Sequence, residues 1–295
     1  MASSSILKAL ALYSLILCFA INSNAAMAIM GDAGKAGASL DKLKASVTKE
    51  KVTSIIMPGD NLYSGSYQSV WDNWKTSGFK FDVVAIGNHN SGYSKEVNYF
   101  KTPGEYYSVV KEGARFIVLN SDNTANVAEQ FNWLKKELAN AKESLVFLVY
   151  HHPTFTISRS HFWSEKRAFH LQMREFFKIN HSRIAAVILG HDHLSEFIDF
   201  GPVPVIVAGS GREVRNEGTV AYDEDGFRIQ SKYFAPQTQH WGLMEILPGA
   251  KEALVHFVRV SDQKRVCSAR LRNGEMILEG ECRSAKTHMI EPLCE

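Results

Sequence analysis

The stretch Thr53-Ser54-Ile55-Ile56-Met57-Pro58-Gly59-Asp60-Asn61-Leu62-Tyr63 decides the reading of this chain. An apolar run stops at Pro-Gly, and a carboxylate and a phenol follow three residues apart. Short apolar runs bounded by turn residues read as buried strands. A turn directly after such a strand delivers its side chains to the strand's C-terminal edge, where open α/β sheets bind ligands.

The pattern recurs. Ala28-Ile29-Met30 runs into Gly31-Asp32-Ala33-Gly34, and Val83-Val84-Ala85-Ile86 into Gly87-Asn88-His89-Asn90. Leu145 to Tyr150 leads to His151-His152-Pro153, and Ala185 to Leu189 leads to Gly190-His191-Asp192-His193. One Gly-Asp is an ordinary turn, but five strand ends carrying Asp, Asn or His point to a site. Asp32, Asp60, Asn88, His151, His191 and His193 supply two carboxylates, a neutral oxygen and three imidazoles. That set suits hard or borderline metal ions. A carboxylate has two oxygens, so it can bridge two ions about 3.5–4 Å apart. His191 and His193 lie two residues apart and share a face of an extended segment.

The rest of the chain bounds the answer. Of 295 residues, the first 25 or so read as a secretory leader. Lys8 precedes an apolar stretch from Ala9 to about Ile21, and Ser23-Asn24-Ala25 offers small residues for cleavage after Ala25. The apolar stretch is short for a membrane span. The mature chain is therefore expected to be exported and soluble, with room for one large α/β domain or two small ones. A formal charge of +2 gives no reason to invoke nucleic acid or an anionic membrane. Cys267, Cys282 and Cys294 remain after processing. Arg272-Asn273-Gly274 reads as a hairpin turn that brings Cys267 to Cys282, with Cys294 as the competing partner.

Helical spacing predicts helices over Leu40–Lys51, Tyr67–Thr76, Tyr93–Phe100, Asn126–Lys142 and Phe162–Asn180. The aromatics Tyr67, Trp71 and Trp74 are read as core packing. Tyr106–Val110 and Arg115–Asn120 read as two strands turning at Lys111-Glu112-Gly113. From Ser195 the character becomes β-rich, with runs at Val203–Val207, Trp241–Ile246, Ala253–Val260, Lys264–Leu271 and Glu275–Glu279, which suggest a second sheet. Residues 284–295 form a polar tail. His170 and His181 are expected in packing or surface roles, Asp192 in shaping its turn, and His152 in a loop. His240, His256 and His288 receive no role.

In order and spacing, Gly31-Asp32…Gly59-Asp60…Gly87-Asn88-His89…His151…Gly190-His191-Asp192-His193 resembles the five-block signature of the calcineurin-like metallophosphoesterases, over about Met27 to Gly211. The resemblance implies an α/β fold, a four-layer α/β/β/α sandwich with two mixed β-sheets and a metal site at the strand C-terminal edges. It assigns residues 26–283 to that domain. Most members carry Asp-x-His in the first block. Here Ala33 and Gly34 follow Asp32, and Tyr63 stands where a replacement ligand would fall. The pairing of Gly-Asp-x-Gly with Gly-Asp-x-x-Tyr resembles the purple acid phosphatases, and Asp60-Asn61 the small, tartrate-resistant type.

Carried over, the resemblance implies that Asp32, Tyr63 and His193 hold Fe(III), and that Asp60 bridges. Asn88, His151 and His191 would hold a divalent ion (Fe, Zn or Mn). His151 is preferred to His152 because the family ligand lies two residues before the proline. His89 would contact the substrate phosphate and His161 the leaving group. The implied activity is acid phosphatase, with attack of metal-held hydroxide on a small phosphate monoester. Two departures stand out: Asn90 replaces the usual acidic residue beside His89, and Thr154-Phe155-Thr156 lacks a frequent aromatic. A phosphodiesterase on the same scaffold, cyclic nucleotides included, is the alternative, and a non-catalytic metal- or phosphate-binding protein is the second rival.

Overall fold

The computed structural model describes residues 25–158, 161–200, 203–212, 214, 230–235, 238–280 and 282. Residues 1–24, which hold most of the expected leader, and Cys294, His288 and the expected 284–295 tail lie outside the described residues.

The first half alternates strand and helix. In chain order the elements are β1 (Ala25–Ile29), α1 (Ala38–Lys49), β2 (Ser54–Met57), α2 (Tyr67–Thr76), β3 (Lys80–Val84) and α3 (Tyr93–Phe100). A hairpin follows, β4 (Tyr107–Lys111) and β5 (Ala114–Val118), then α4 (Val127–Asn140) and β6 (Val146–Val149). A 3-10 turn at Trp163–Lys166 opens α5 (Arg167–Asn180), which leads to β7 (Ala186–Leu189). The remainder is β8 (Ser195–Phe200), β9 (Val203–Ala208), β10 (Gln230–Ala235), β11 (His240–Ile246), β12 (Ala253–Arg259), β13 (Arg265–Arg272) and β14 (Glu275–Glu279).

Two mixed seven-stranded sheets result, ordered β14-β13-β12-β11-β1-β2-β3 and β10-β8-β9-β7-β6-β5-β4. The strands that carry the motifs end in apolar residues that are buried on both faces, Met27–Ile29, Ile55–Met57, Val83–Val84, Val146–Val149 and Ala186–Leu189. In β2, Ile56 packs between the sheets while Ile55 and Met57 face the helical layer holding Leu43, Val47, Trp71 and Trp74. In β6, Phe147 and Val149 face inward while Val146 and Leu148 meet Phe131 and Leu134 of α4 and Phe169 and Met173 of α5. The layers therefore run α/β/β/α. Met27, Ile56, Phe116, Phe147, Ile188, Met244 and Phe257 share the central core, which ties both sheets into one unit.

The C-terminal runs do not make a sheet of their own, contrary to the sequence expectation. β1 pairs in parallel with β2 and leaves its other edge open, and β11 fills that edge antiparallel, Met27 opposite Met244. β12 to β14 continue that sheet, whereas β8 to β10 extend the other. Glu196 and Asp199 interrupt β8 and hide it from a search for apolar runs. A two-residue loop at Asn273-Gly274 joins β13 to β14, and Cys267 and Cys282 are disulfide-bonded. Trp71, Trp74, Phe79 and Phe81 form one aromatic cluster, so these rings are core. Among the described residues, no helix is long and apolar enough to cross a membrane.

Candidate metal centre

The loops after β1, β2, β3, β6 and β7 converge at one end of the two sheets. Asp32, Asp60 and His191 all take positive φ (57°, 56° and 69°), a left-handed backbone that turns each chain sharply off its strand. The loops then lock together through the backbone: Asp32 N–H donates to Gly59 O at 3.1 Å, Gly34 N–H to Asp60 O at 3.1 Å, and Tyr63 N–H to Gly34 O at 2.7 Å.

One group of donors surrounds Tyr63. Its Oη lies 3.1 Å from Asp32 Oδ1 and 3.0 Å from His193 Nε2. His193 Nε2 in turn lies 3.5 Å from Asp32 Oδ1. A second group surrounds His151 Nε2, which is 3.0 Å from Asp60 Oδ1, 3.1 Å from Asn88 Oδ1 and 3.3 Å from His191 Nδ1. Asp60 interacts with Tyr63 as well as His151, so one carboxylate touches both groups. The structure thus brings all seven sequence-derived ligand candidates together at one end of the sheets, in two neighbouring groups.

The donor chemistry fits metal ions. His151 Nδ1 faces Pro58 O at 2.9 Å, and a carbonyl only accepts, so Nδ1 carries a hydrogen. His191 Nε2 faces Glu165 Oε2 at 3.0 Å and donates to it. In the neutral rings His151 Nε2 and His191 Nδ1 are then bare lone pairs, 3.3 Å apart and beside two further oxygen acceptors. Such a group needs a proton or a cation at its centre. Electrostatics agree. Burial pushes His191 down to about 4 and His152 well below its ordinary value, so both are neutral. Burial also lowers His151, but Asp60 and Asp32 outweigh it and lift this imidazole to about 9. Burial raises Asp32 well above the carboxylate range, whereas His151 holds Asp60 below it despite burial. Burial and then the Asp32 and Asp60 carboxylates push the Tyr63 phenol far up.

Gly34 gives the departure from Asp-x-His a physical reason. A Cβ at position 34 would overlap the Asn61–Leu62 peptide, leaving no room for a histidine side chain. The Asp60–Tyr63 loop passes over that spot, and Trp71 Nε1 clamps it by donating to Asn61 O at 2.8 Å.

His89 is exposed, its ring 4.4 Å from that of Tyr63. His161 packs its ring 4.1 Å from that of His191, so both expected substrate-side histidines border the centre. Asn90 does not orient His89. Its side chain donates to Gly87 O and accepts from Gly92 N–H, both at 2.7 Å, and so braces its own loop. His152 is buried rather than on the loop surface, and its Nδ1 bonds Ser121 Oγ at 2.9 Å. His151, His152 and His191 do form one candidate ligand group, but only His151 meets Asp60 and Asn88. Asp192 ties its turn to the neighbouring loop through Thr156 Oγ1. His170 is buried and bonds Thr154 Oγ1 at 2.9 Å, a packing role. Glu165 was not visible in the sequence reading, because His-x-x-x-Glu at a helix start is ordinary surface pairing. Its carboxylate contacts both His161 and His191.

A two-sheet α/β/β/α scaffold presenting these donors from five strand ends defines a metallohydrolase class. The chain belongs to the calcineurin-like phosphoesterase family, whose model matches residues 27–195; metal-dependent phosphoester hydrolysis is the activity of that family, and candidate ligands for its divalent ions are present. A 96-residue segment is 38% identical to the serine/threonine-protein phosphatase UIS2 of Plasmodium berghei, covering 31% of this chain and 7% of that protein. The chain therefore spans a small fraction of that relative's length. The fold is shared with GAP50, the anchor in the inner membrane complex of Plasmodium, at a TM-score of 0.65 and 18% identity, covering 85% of this chain and 89% of that one. PhoD shares it at a TM-score of 0.60 and 13% identity, covering 89% and 73%.

Proposed function

We propose that this chain is an exported acid phosphatase of the purple, dinuclear type, acting on small phosphate monoesters. The observation that carries the reading is Tyr63 Oη beside Asp32 Oδ1 and His193 Nε2, with Gly34 closing the space where other branches keep a histidine. In this reading Asp32, Tyr63 and His193 hold Fe(III), Asn88, His151 and His191 hold a divalent ion, and Asp60 serves both. When bound, the pair supplies Lewis acidity to the phosphate oxygens and acidifies water. The chain's own residues do the rest. The exposed His89 donates a hydrogen bond to the phosphate. His161 holds a proton on Nε2 for the departing alcohol, its Nδ1 being occupied by Glu165 at 3.3 Å. Residues 26–283 form the catalytic domain and residues 1–25 direct export.

A simple aryl phosphate and its bis-aryl diester, assayed side by side at acidic pH, test the assignment. The monoester is expected to be hydrolysed at least about tenfold faster. Faster cleavage of the diester would overturn it in favour of a phosphodiesterase.

A further inference from the structure

We infer that Glu165 is a positioning residue that fixes a metal-ligand histidine and the leaving-group histidine through one carboxylate. Its Oε2 lies 3.0 Å from His191 Nε2, and its Oε1 lies 3.3 Å from His161 Nδ1. The same Oε1 accepts from Phe162 N–H at 3.1 Å, which anchors the side chain to the 3-10 turn that opens α5. An ionised carboxylate only accepts. Both imidazoles must therefore present N–H to it, which leaves His191 Nδ1 bare toward His151 and His161 Nε2 turned to the substrate side. The two ring centroids lie 4.1 Å apart with the planes tilted by 55°, so each ring packs against the other. Carboxylates that orient ligand histidines in this way change metal affinity when removed. What distinguishes Glu165 is that it serves two rings with different tasks, so loss of one bond disturbs both.

This inference rests on the phosphoesterase reading, and Glu165→Gln tests it. The carboxylate is about a third exposed (36%), and the glutamine carbonyl still accepts from Phe162, so the variant folds. Its amide cannot accept from both imidazoles and forces a tautomer change in one. Zinc titrated into the metal-stripped protein should bind wild type with two equivalents and bind the variant about 10- to 100-fold less tightly at one of them. Turnover should fall about tenfold further on an alkyl phosphate, whose alkoxide must be protonated, than on an aryl phosphate. Unchanged zinc affinity, or an equal loss on both esters, would overturn the assignment. A third zinc equivalent present in wild type and absent from Glu165→Gln would also overturn it, making Glu165 a ligand in its own right. The zinc titration needs no turnover, so failure of the phosphatase reading and failure of this inference are read separately.

Discussion

Glu96 lies beneath the Asp60 loop, 1% exposed, accepting from Tyr67 Oη at 2.6 Å and from Asn61 Nδ2 at 2.7 Å. Asn61 Nδ2 also donates to Ala85 O, so this buried network ties the residue after Asp60 to the end of β3. Burial pushes the Glu96 carboxyl up to about 7, although both hydrogen bonds pull it down. A folded-state value above the unfolded one means that the fold holds its proton more tightly. The associated stability is complete below about pH 4.5 and is lost as pH rises through 7. A difference of some 2.5 pKa units corresponds to about 3 kcal/mol. Thermal melts of the metal-stripped protein at pH 5 and pH 8 check this. Glu96→Gln, which keeps a neutral group able to bond both partners, is expected to narrow the gap between the two melts. An unchanged gap would mean that Glu96 titrates normally. None of this was legible in the sequence, where Glu96 sits in an amphipathic helix as an ordinary polar residue.

The strand-loop units explain why the candidate ligands were legible in the sequence. β1, β2, β3, β6 and β7 are short and end in buried apolar residues, and four of them lead to glycine or Pro-Gly while β6 leads to Tyr150-His151-His152-Pro153, so each chain turns at once at the sheet edge. The residues after the turn are committed to the sheet edge, so Asp32, Asp60, Asn88, His151 and His191 stand out as candidates in the sequence itself. Glycine at these turns is also a packing requirement. A Cβ at Gly87 would overlap the Asp60 amide and its Oδ1 carboxylate oxygen, since the β3 loop crosses the β2 loop there. Gly87→Ala is expected to keep the overall fold by circular dichroism yet lower kcat about 100-fold or more, because the shared carboxylate is displaced. Wild-type activity in this variant would show that the loops part without cost. Elements outside this pattern were less readable. β8 carries charges within a strand, and the segment from Phe162 begins as a 3-10 turn rather than as regular helix. Glu165 belongs to that turn, distant in sequence from His191, whose ring it contacts.

On the scale of the whole molecule, one core between two sheets holds every ligand-bearing loop at the same end. The parallel strands of each sheet point their C-terminal ends there: β1, β2 and β3 in one, β6 and β7 in the other. Assembly of the centre is thus a property of the two-sheet packing, and no single motif suffices. The family resemblance implied the layers, and the strand-end motifs the order of the candidate ligands, but neither told which sheet received which C-terminal strand. That choice depends on the free edges of β1 and β9, which only tertiary pairing reveals. The disulfide staples the β13–β14 hairpin at the far edge, with β11 and β12 between it and β1. In the proposed function two metal ions sit in this assembly, one of them Fe(III) bound by Tyr63, and metal analysis of the purified protein together with its visible absorption spectrum tests that proposal. The account predicts two metal equivalents per chain and a tyrosinate-to-iron colour that Tyr63→Phe removes. A colourless protein, with two zinc or manganese ions or with no metal at all, would contradict it.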